Sequence, residues 1–251
     1  MKDLLDMAVA HEGVDKVNLP VIEQILIGKP KTIGKKEAIH PMDREWESGI
    51  VKYPVEEKIW VSKTNLQGDG QADLKHHGGP EKVIFVYPVT HYAYWQKMLK
   101  NPDFTIGAFG ENLAIGNQTE SDVCIGDVFQ IGEVKVQVSQ PRQPCWKPAR
   151  RWKVKDLAIQ LQQKGMTGWY LRVLNEGEIQ AGDFLQLIER PFPEWSVDRC
   201  NDVMHNQKHD LELSARLASC ELLALNWRDT LSRRIKGEEK DIRNRVTGPN
   251  E

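Results

Sequence analysis

One loop of this sequence combines a cysteine with a high density of positive charge. Cys145 follows two prolines, and four cations lie within six residues of it: Arg142, Lys147, Arg150 and Arg151. Nearby cations and the N-terminus of a following helix favour the thiolate form of a cysteine over the thiol. The loop therefore predicts a reactive or metal-binding sulfur. The alternative is a buried structural thiol beside a solvated basic face.

The remaining cysteines do not predict a second reactive or metal-binding site. Cys124, Cys200 and Cys220 have no comparable cationic surroundings, and the burial preference of free thiols predicts structural roles for them. The absence of a CxxC pair argues against a zinc ribbon, an iron–sulfur cluster and a disulfide framework. A reducing compartment and a cytoplasmic location are expected.

Two glycine-rich segments are further candidates for ligand binding. Residues 68–80 carry two adjacent histidines, His76 and His77, among turn glycines that are able to present N–H groups to an anion. Adjacent side chains on a strand point to opposite faces, which disfavours a paired zinc site at these histidines. Residues 107–113 match neither the Walker A nor the dinucleotide-binding pattern, so a nucleotide fold is unsupported.

The elements that must position these residues are mainly strands. Segments rich in Val, Ile, Phe, Trp and Tyr, bounded by Gly, Pro, Asn and Asp, recur from about residue 25 to 190. The alternation of Val134, Val136 and Val138 places one face of a strand inward. Closure removes sheet edges, so a closed or partly closed β-barrel is the expected architecture of residues 25–192.

Helices are predicted in two places. Residues 150–165 predict a helix that begins just after Cys145 and is capped by Gly165. A three-helix module over 193–236 follows, in which Ser196 is the expected N-cap. Its helical spacing is carried by Leu213, Leu217, Cys220, Ala224, Trp227, Leu231 and Ile235.

Both ends of the chain are predicted to lie outside these domains. Residues 1–24 predict an N-terminal extension with a frayed helix that uses Leu4, Leu5 and Val9. Residues 237–251 are charged and lack an apolar face, which predicts a disordered tail.

Composition limits the classes of protein that this chain can be. The 251 residues are 40% hydrophobic and 28% charged with a formal net charge of -2, and the mean hydropathy is -0.53. These values are typical of a globular chain able to bury about 73% of the surface that its unfolded form exposes. The small net charge creates no electrostatic field that would draw the chain to nucleic acid or to a membrane. No apolar stretch approaches the length of a membrane span.

Six motifs follow one another in a defined order. They are SGIVKYPV at 48–55, GDGQADLKHHGG at 68–79, GAFGENL at 107–113, VCIGD at 123–127, SQPRQPCW at 139–146 and TGWYLRVLNEGEIQAGD at 167–183. With RPFPEWSV at 190–197 and the helical end, they resemble the MOSC family (molybdenum cofactor sulfurase C-terminal) and its YiiM-like subgroup. The resemblance covers about residues 25–236.

The resemblance implies a β-barrel that binds the molybdenum–pterin cofactor, with Cys145 as the protein's own ligand to molybdenum. A soft thiolate in a cationic loop agrees with that role. By similarity, Ser48, Lys52, Asn112 and Tyr170 line the pocket for cofactor or substrate, and Tyr170 joins Cys145 as a catalytic candidate. Packing of Tyr170 in the barrel and capping of a turn by Asn112 remain alternatives.

Charge adds further candidates for holding the cofactor. His76, His77, Arg142, Lys147 and Arg150 are expected at the cofactor site, and Arg151 is a further electrostatic candidate. Some relatives place an arginine where this chain has Gly110. The cation that meets the pterin phosphate must therefore come from another position or be missing.

The activity implied by the resemblance is reduction of small N-hydroxylated compounds, such as hydroxylamino purines, to amines. The chain has no flavin, haem or cluster motif, so the electrons are expected from a separate flavin or iron–sulfur reductase. The first alternative is a carrier of the molybdenum cofactor, or of sulfur bound as a persulfide on Cys145. A cysteine hydrolase with His76 or His77 as base is the second. Pyridoxal phosphate binding is also associated with the resemblance, and the oligomeric state stays open.

Overall fold

The computed structural model describes residues 19–239 and 241–250. The predicted N-terminal helix with Leu4, Leu5 and Val9 lies outside the described residues. The first strand begins at Val21, so the boundary predicted at residue 24 falls inside a strand. This early start has a physical reason, since Ile22 and Ile25 are buried in the core.

Most strands of the described chain belong to one sheet. The strands are β1 (Val21–Ile27), β2 (Lys31–Ile33), β3 (Trp46–Ser48), β4 (Tyr53–Val55), β5 (Ile59–Val61), β6 (Ile84–Pro88), β7 (Leu113–Gly116), β8 (Val128–Ile131), β9 (Val134–Pro141), β10 (Trp169–Asn175), β11 (Gly177–Ile179) and β12 (Gln186–Glu189). The eight-stranded sheet has the order β12-β8-β9-β10-β6-β7-β1-β4. Its neighbours pair antiparallel except β6 and β7, which are parallel. Two-stranded sheets are formed by β11 with β5 and by β2 with β3.

The large sheet curls into a half-barrel. The start of β1 meets the segment that leads into β12, where the Ile22 N–H donates to the Asp183 carbonyl over 3.0 Å and Val21 bridges Phe184. This contact joins strands that are far apart in the strand order, so the sheet is partly closed. The mainly β fold with a partly closed barrel is confirmed. Val134, Val136 and Val138 point into the core, as their alternation predicts.

Eight α-helices occur in the described part of the chain. They are α1 (Leu74–His77), α2 (His91–Leu99), α3 (Trp146–Trp152), α4 (Leu157–Lys164), α5 (Val197–His205), α6 (Leu211–Ala218), α7 (Leu225–Ile235) and α8 (Arg243–Val246). None of these helices has the length and apolarity needed to cross a membrane.

The helix predicted over 150–165 is two helices. Chain direction changes after α3 because Lys153 adopts a left-handed conformation with φ 57°, and its N–H caps the helix at the Ala149 carbonyl. The side chain of Lys153 pairs with Asp43 at 2.6 Å. No glycine or proline marks this break, which is why the sequence did not show it. Gly165 caps α4 in the left-handed conformation as predicted.

The three helices α5–α7 form the C-terminal helical module. Ser196 caps α5 by accepting a hydrogen bond from the Arg199 N–H. The buried Arg234 of α7 donates to the Val203 and Met204 carbonyls at the end of α5. Cys220 and Ala224 lie in the connection between α6 and α7, so their predicted helical placement is wrong.

The charged end of the chain is folded where the structure describes it. Residues 243–246 form α8 and residues 248–250 form a 3-10 turn. Val246 and Asn250 are buried, so the prediction of a disordered tail is wrong for this segment. Its contacts are made with the loop around Cys145, which local sequence could not reveal.

Candidate functional site

A cleft lies beside Cys145 at the end of β9. It has about 570 Å³ of empty volume, part of it open to solvent. The chemistry of its lining falls into three groups. The groups are the cations Lys52, Lys82, Arg142 and Lys147, the aromatic side chains Phe85, Phe109 and Tyr170, and the polar side chains Ser48, Gln71, His77, Asn112 and Cys145.

The loop that carries Cys145 is fixed at both ends. The Arg142 N–H donates to the Gly168 carbonyl over 3.0 Å, immediately after β9. Cys145 itself is the N-cap residue of α3, in an extended conformation. Its exposed fraction is 9%, and its side chain lines the cleft. The sulfur is therefore well packed on one side and open to the cleft on the other.

His77 is the immediate neighbour of the sulfur. Its Nε2 lies 3.5 Å from the Sγ of Cys145. Burial favours the neutral thiol, but the hydrogen bond and charge of His77, the charge of Arg142 and the Lys147 N–H outweigh burial and lower the pKa of Cys145 to about 6. A thiol with this pKa is mainly thiolate at pH 7, as the cationic sequence predicts.

The two adjacent histidines lie on the short helix α1 and have different surroundings. Asp73 caps α1 by accepting from the His76 N–H over 3.1 Å. The His76 ring turns to solvent, where its Nδ1 is 2.8 Å from Asp73 Oδ2. The Nδ1 of His77 is 3.7 Å from the same oxygen and has no hydrogen-bond partner in the described part of the chain. Of the predicted pair, only His77 lines the cleft.

Arg142 and Tyr170 form the inner wall of the cleft. The Arg142 guanidinium lies 4.9 Å from the ring centre of Phe85 and 5.8 Å from that of Phe109. Its Nη1 is buried without a hydrogen-bond partner among the described residues. Burial raises the pKa of Tyr170 to about 12, against the opposing charge of Arg142. The phenol therefore stays protonated and is able to donate a hydrogen bond into the cleft.

A buried ion pair supports the opposite wall. Lys52 pairs with Asp69, and both side chains are almost fully buried. Burial lowers the pKa of Lys52, against the charge of Asp69. The Nδ2 of Asn112 donates to Asp69 Oδ2 over 2.9 Å, and its Oδ1 accepts from the Phe85 N–H. Asn112 and Lys52 thus line the cleft while they hold its wall together.

The remaining predicted cations divide between the cleft and the scaffold. Lys147 lines the cleft, whereas Arg150 and Arg151 do not. Arg150 donates to the Pro41 and Arg44 carbonyls, and Arg151 donates to the Ile50, Gly107 and Ala108 carbonyls. The prediction that Arg150 binds the cofactor is therefore not supported by its position, because its guanidinium is held by backbone carbonyls and does not line the cleft.

Lys82, which lines the cleft, and Asp69, the partner of Lys52, are not among the site residues predicted from the sequence. Lys82 ends the short 3-10 turn that begins at Pro80, and its Nζ donates to the His76 carbonyl. Asp69 lies in the glycine-rich segment that the sequence singled out, but its partner Lys52 is 17 residues away. The predicted Ser48 does line the cleft, and its Oγ accepts from the Ile50 N–H over 3.2 Å.

Gly110 has no room for a side chain. Its φ is 78°, a conformation that favours glycine, and a Cβ there would lie 2.8 Å from the Ile50 side chain. An arginine at this position would need the backbone to move. Lys82, Arg142 and Lys147 supply positive charge to the same cleft.

The C-terminal segment holds the Cys145 loop from outside. The Arg245 guanidinium donates to the Pro144 carbonyl, and Asn250 Nδ2 donates to the Trp146 carbonyl over 3.1 Å. A Cβ at Gly248 would meet the Trp146 ring at 2.3 Å. Residues on both sides of Cys145 are therefore fixed by a segment that the sequence predicted to be disordered.

The cleft residues fit a molybdenum–pterin cofactor. A thiolate is a soft ligand, which suits a metal that also carries dithiolene sulfurs. The unpartnered Nη1 of Arg142 and the nearby lysines offer donors for an anionic group. In the described part of the chain, no group of three or more His, Cys, Asp and Glu side chains could hold a metal ion. A metal bound at Cys145 would thus need further ligands from its own cofactor.

Comparison with known proteins identifies the family. Residues 73–186 match the model of the MOSC domain, and residues 195–238 match that of the YiiM-like, 3-alpha helix domain. The protein YflK of Bacillus subtilis (strain 168) is 42% identical over 196 residues, which cover 78% of this chain and 88% of YflK. The chain belongs to the YiiM-like MOSC proteins. The first match contains Cys145, and the second coincides with the helices α5–α7.

Two other relatives extend the comparison of this MOSC protein. The crystal structure of YiiM from Geobacillus stearothermophilus has a TM-score of 0.72 and 36% identity, and it covers 86% of this chain and 99% of that chain. A protein of Gibberella moniliformis (strain M3125 / FGSC 7600) named "Reductase" is 35% identical over 201 residues, which cover 78% of this chain and 35% of the fungal protein. These names mention neither pyridoxal phosphate nor sulfur transfer, so those two predictions gain no support.

Proposed function

We propose that this chain is a molybdenum-cofactor-dependent reductase that converts small N-hydroxylated compounds, such as hydroxylamino purines, to amines. The observation that carries the proposal is the position of Cys145 in a cleft lined by four cations, with His77 Nε2 3.5 Å from its sulfur. These surroundings lower the pKa of the thiol to about 6. Membership of a family associated with molybdenum-cofactor binding agrees with it. The fungal relative named as a reductase favours redox chemistry, although this chain spans about a third of that protein.

The chain's own side chains would hold the cofactor. Cys145 Sγ would ligate the metal, while Arg142, Lys82 and Lys147 would bind the anionic groups of the pterin. When bound, this cofactor supplies two-electron redox chemistry at its metal. Lys52 contributes less free charge because Asp69 neutralises it.

The protein's own side chains can supply the protons that the reaction consumes. Reduction of an N-hydroxyl group consumes two electrons and two protons and yields an amine and water. His77 lies at the cleft beside the sulfur, and the Tyr170 hydroxyl lies within the cleft as a donor. We assign His77 to proton delivery and Tyr170 to orientation of the substrate oxygen.

Turnover with a small electron donor tests the proposal. Protein from a host that makes the cofactor is assayed with reduced methyl viologen and a hydroxylamino purine, and the native chain is compared with Cys145→Ser. Cys124→Ser is the matched control, because Cys124 lies outside the cleft and contacts the Pro193 carbonyl. Turnover by the native and Cys124→Ser proteins, without turnover by Cys145→Ser, supports a reductase. Bound cofactor without turnover would instead support the carrier alternative.

A second candidate, a cysteine hydrolase, is favoured by one contact. The 3.5 Å separation of Cys145 Sγ and His77 Nε2 suits a nucleophile and its base. Among the described residues no carboxylate is hydrogen-bonded to the imidazole, because Asp73 Oδ2 is 3.7 Å from His77 Nδ1 and is hydrogen-bonded to His76. Covalent labelling of Cys145 by an activated ester, with release of acid on standing, would support this candidate.

A further inference from the structure

A second, basic cavity lies behind the Cys145 loop. It has about 1280 Å³ of empty volume, part of it open to solvent. Its walls come from the end of α5, from α7 and from the C-terminal segment, and Gln143 reaches it from the Cys145 loop. Neither family model assigns a role to this cavity, and the proposed reduction does not use it directly.

The Cys145 loop is the partition between the two cavities. Arg142 and Cys145 line the first cleft, whereas Gln143 between them lines the second cavity. Arg245, a wall residue of the second cavity, donates to the Pro144 carbonyl. A molecule seated in the second cavity would therefore contact Gln143, which lies two residues before the proposed metal ligand, and Arg245, which holds the intervening proline.

Positive charge in the second cavity is only partly compensated. Lys75, Lys208 and Arg233 line it without an acidic partner in the described part of the chain. Arg234 is paired with Glu239 at 2.8 Å. The wall carries three acids against five cations, so positive charge prevails. The acids are Asp229, Glu239 and Asp241, and the cations are Lys75, Lys208, Arg233, Arg234 and Arg245.

The imidazole of His205 is affected by the positive charge of this cavity. It is packed at the cavity wall, and its Nε2 has no hydrogen-bond partner among the described residues. Burial, followed by the charges of Arg245, Lys208 and Arg234, lowers the pKa of His205 to about 3. A neutral histidine adds no charge of its own, and the surrounding cations remain available to an anionic partner.

We propose that this basic cavity is the docking site for an acidic electron-donor protein. The inference rests on the proposed reductase function, because each turnover needs two electrons and the sequence has no flavin, haem or cluster motif of its own. The donor carries a reduced flavin or an iron–sulfur centre. Breaking one N–O bond takes two electrons, which come from one flavin hydroquinone or from two iron–sulfur centres oxidised in turn, and two protons complete the amine and water. Charge complementarity would orient its acidic face against the helical module and the Cys145 loop.

The test compares a protein donor with a small one on the cofactor-loaded chain. The double variant Lys208→Glu/Arg233→Glu reverses charge in the cavity without touching the cleft. The control Lys97→Glu/Lys155→Glu reverses charge at exposed positions that line neither cavity. Turnover is measured with reduced flavodoxin and plant-type ferredoxin, both acidic, and separately with reduced methyl viologen.

The expected result is a KM for the protein donor raised by about tenfold or more in the cavity variant, since reversed charges repel an acidic face. The same variant should match native turnover with methyl viologen, and the control should match native turnover with every donor. An unchanged KM in the cavity variant, or an equal rise in the control, would overturn the docking site. So would a native protein that turns over with viologen but with neither protein donor. Loss of viologen turnover in the native protein would overturn the reductase function itself.

Discussion

His77 Nε2 and Cys145 Sγ lie 3.5 Å apart although they are 68 residues apart in the chain. The contact joins helix α1, in the glycine-rich segment, to the loop between β9 and α3. It places a proton-binding ring beside the sulfur that is proposed to ligate the metal. Burial alone would keep this sulfur protonated, so its ionisation depends on His77 and on Arg142.

The pH dependence of Cys145 reactivity follows from this contact. The pKa of Cys145 is about 6 against an ordinary value of 9.0, so alkylation of the cofactor-free protein by iodoacetamide should rise through pH 6 and level off above it. His77→Gln removes the charge and should move the midpoint upward. The rate is measured at Cys145 by mass spectrometry, with buried Cys200 as the unreactive reference.

A native midpoint near the ordinary pKa of a thiol would contradict the ionised sulfur.

The lowered pKa of Cys145 also makes a prediction for the stability of the fold. The folded-state pKa lies below the unfolded one, so ionisation of Cys145 contributes stability that is fully present above pH 9.0 and is lost as the pH falls through about 6. Cys145→Ser should remove this part of the pH dependence of the free energy of unfolding.

The buried pair of Lys52 and Asp69 should be costly to break. Asp69→Asn leaves the Lys52 ammonium without its partner, and loss of one member of a buried pair costs about 3–5 kcal/mol. The free energy of unfolding is measured in urea. Asp156→Asn is the control, because this carboxylate is exposed and makes no side-chain cap, and it should cost about 0.5 kcal/mol or less. Equal losses in the two variants would show that Asp69 does not support the cleft wall.

The C-terminal segment should restrain the Cys145 loop. Arg245→Gln removes the guanidinium that donates to the Pro144 carbonyl, so amide hydrogen exchange over residues 143–147 should become about tenfold faster. Arg243→Gln changes a neighbouring arginine of α8 that pairs with Asp241, and exchange in the loop should stay at the native rate. If Arg245→Gln leaves the loop protected, the segment does not hold it.

Gly110 should not accept an arginine. Gly110→Arg forces a side chain onto a backbone with φ 78° and against Ile50, and such strain costs about 1–3 kcal/mol. Thermal unfolding measures the loss. A fully stable Gly110→Arg protein with tighter cofactor binding would show that the missing arginine limits this site.

Local sequence patterns were enough to predict a core strand, two helix ends and the importance of Cys145. The alternation of Val134, Val136 and Val138 identified a core strand, and Ser196 and Gly165 marked helix ends correctly. Cys145 was singled out because prolines and cations surround it in the chain itself.

Contacts between distant segments could not be predicted in the same way. His77 meets Cys145, Asp69 pairs with Lys52 and Arg245 reaches Pro144 only because the fold brings separate loops together. Arg150 is close to Cys145 in the sequence, but its position on α3 keeps it out of the lining of the cleft. The tail looked disordered because its few apolar residues are buried by partners that lie elsewhere in the chain.

Metal content tests the central role of Cys145 most directly. Native protein, Cys145→Ser and Cys124→Ser are purified from one cofactor-sufficient host, and molybdenum is measured by mass spectrometry alongside the fluorescence of the oxidised pterin. About one molybdenum per chain is expected in the native and Cys124→Ser proteins and its loss is expected in Cys145→Ser, since the thiolate is the proposed metal ligand. Native protein without molybdenum or pterin, or an equal metal content in Cys145→Ser, would contradict it.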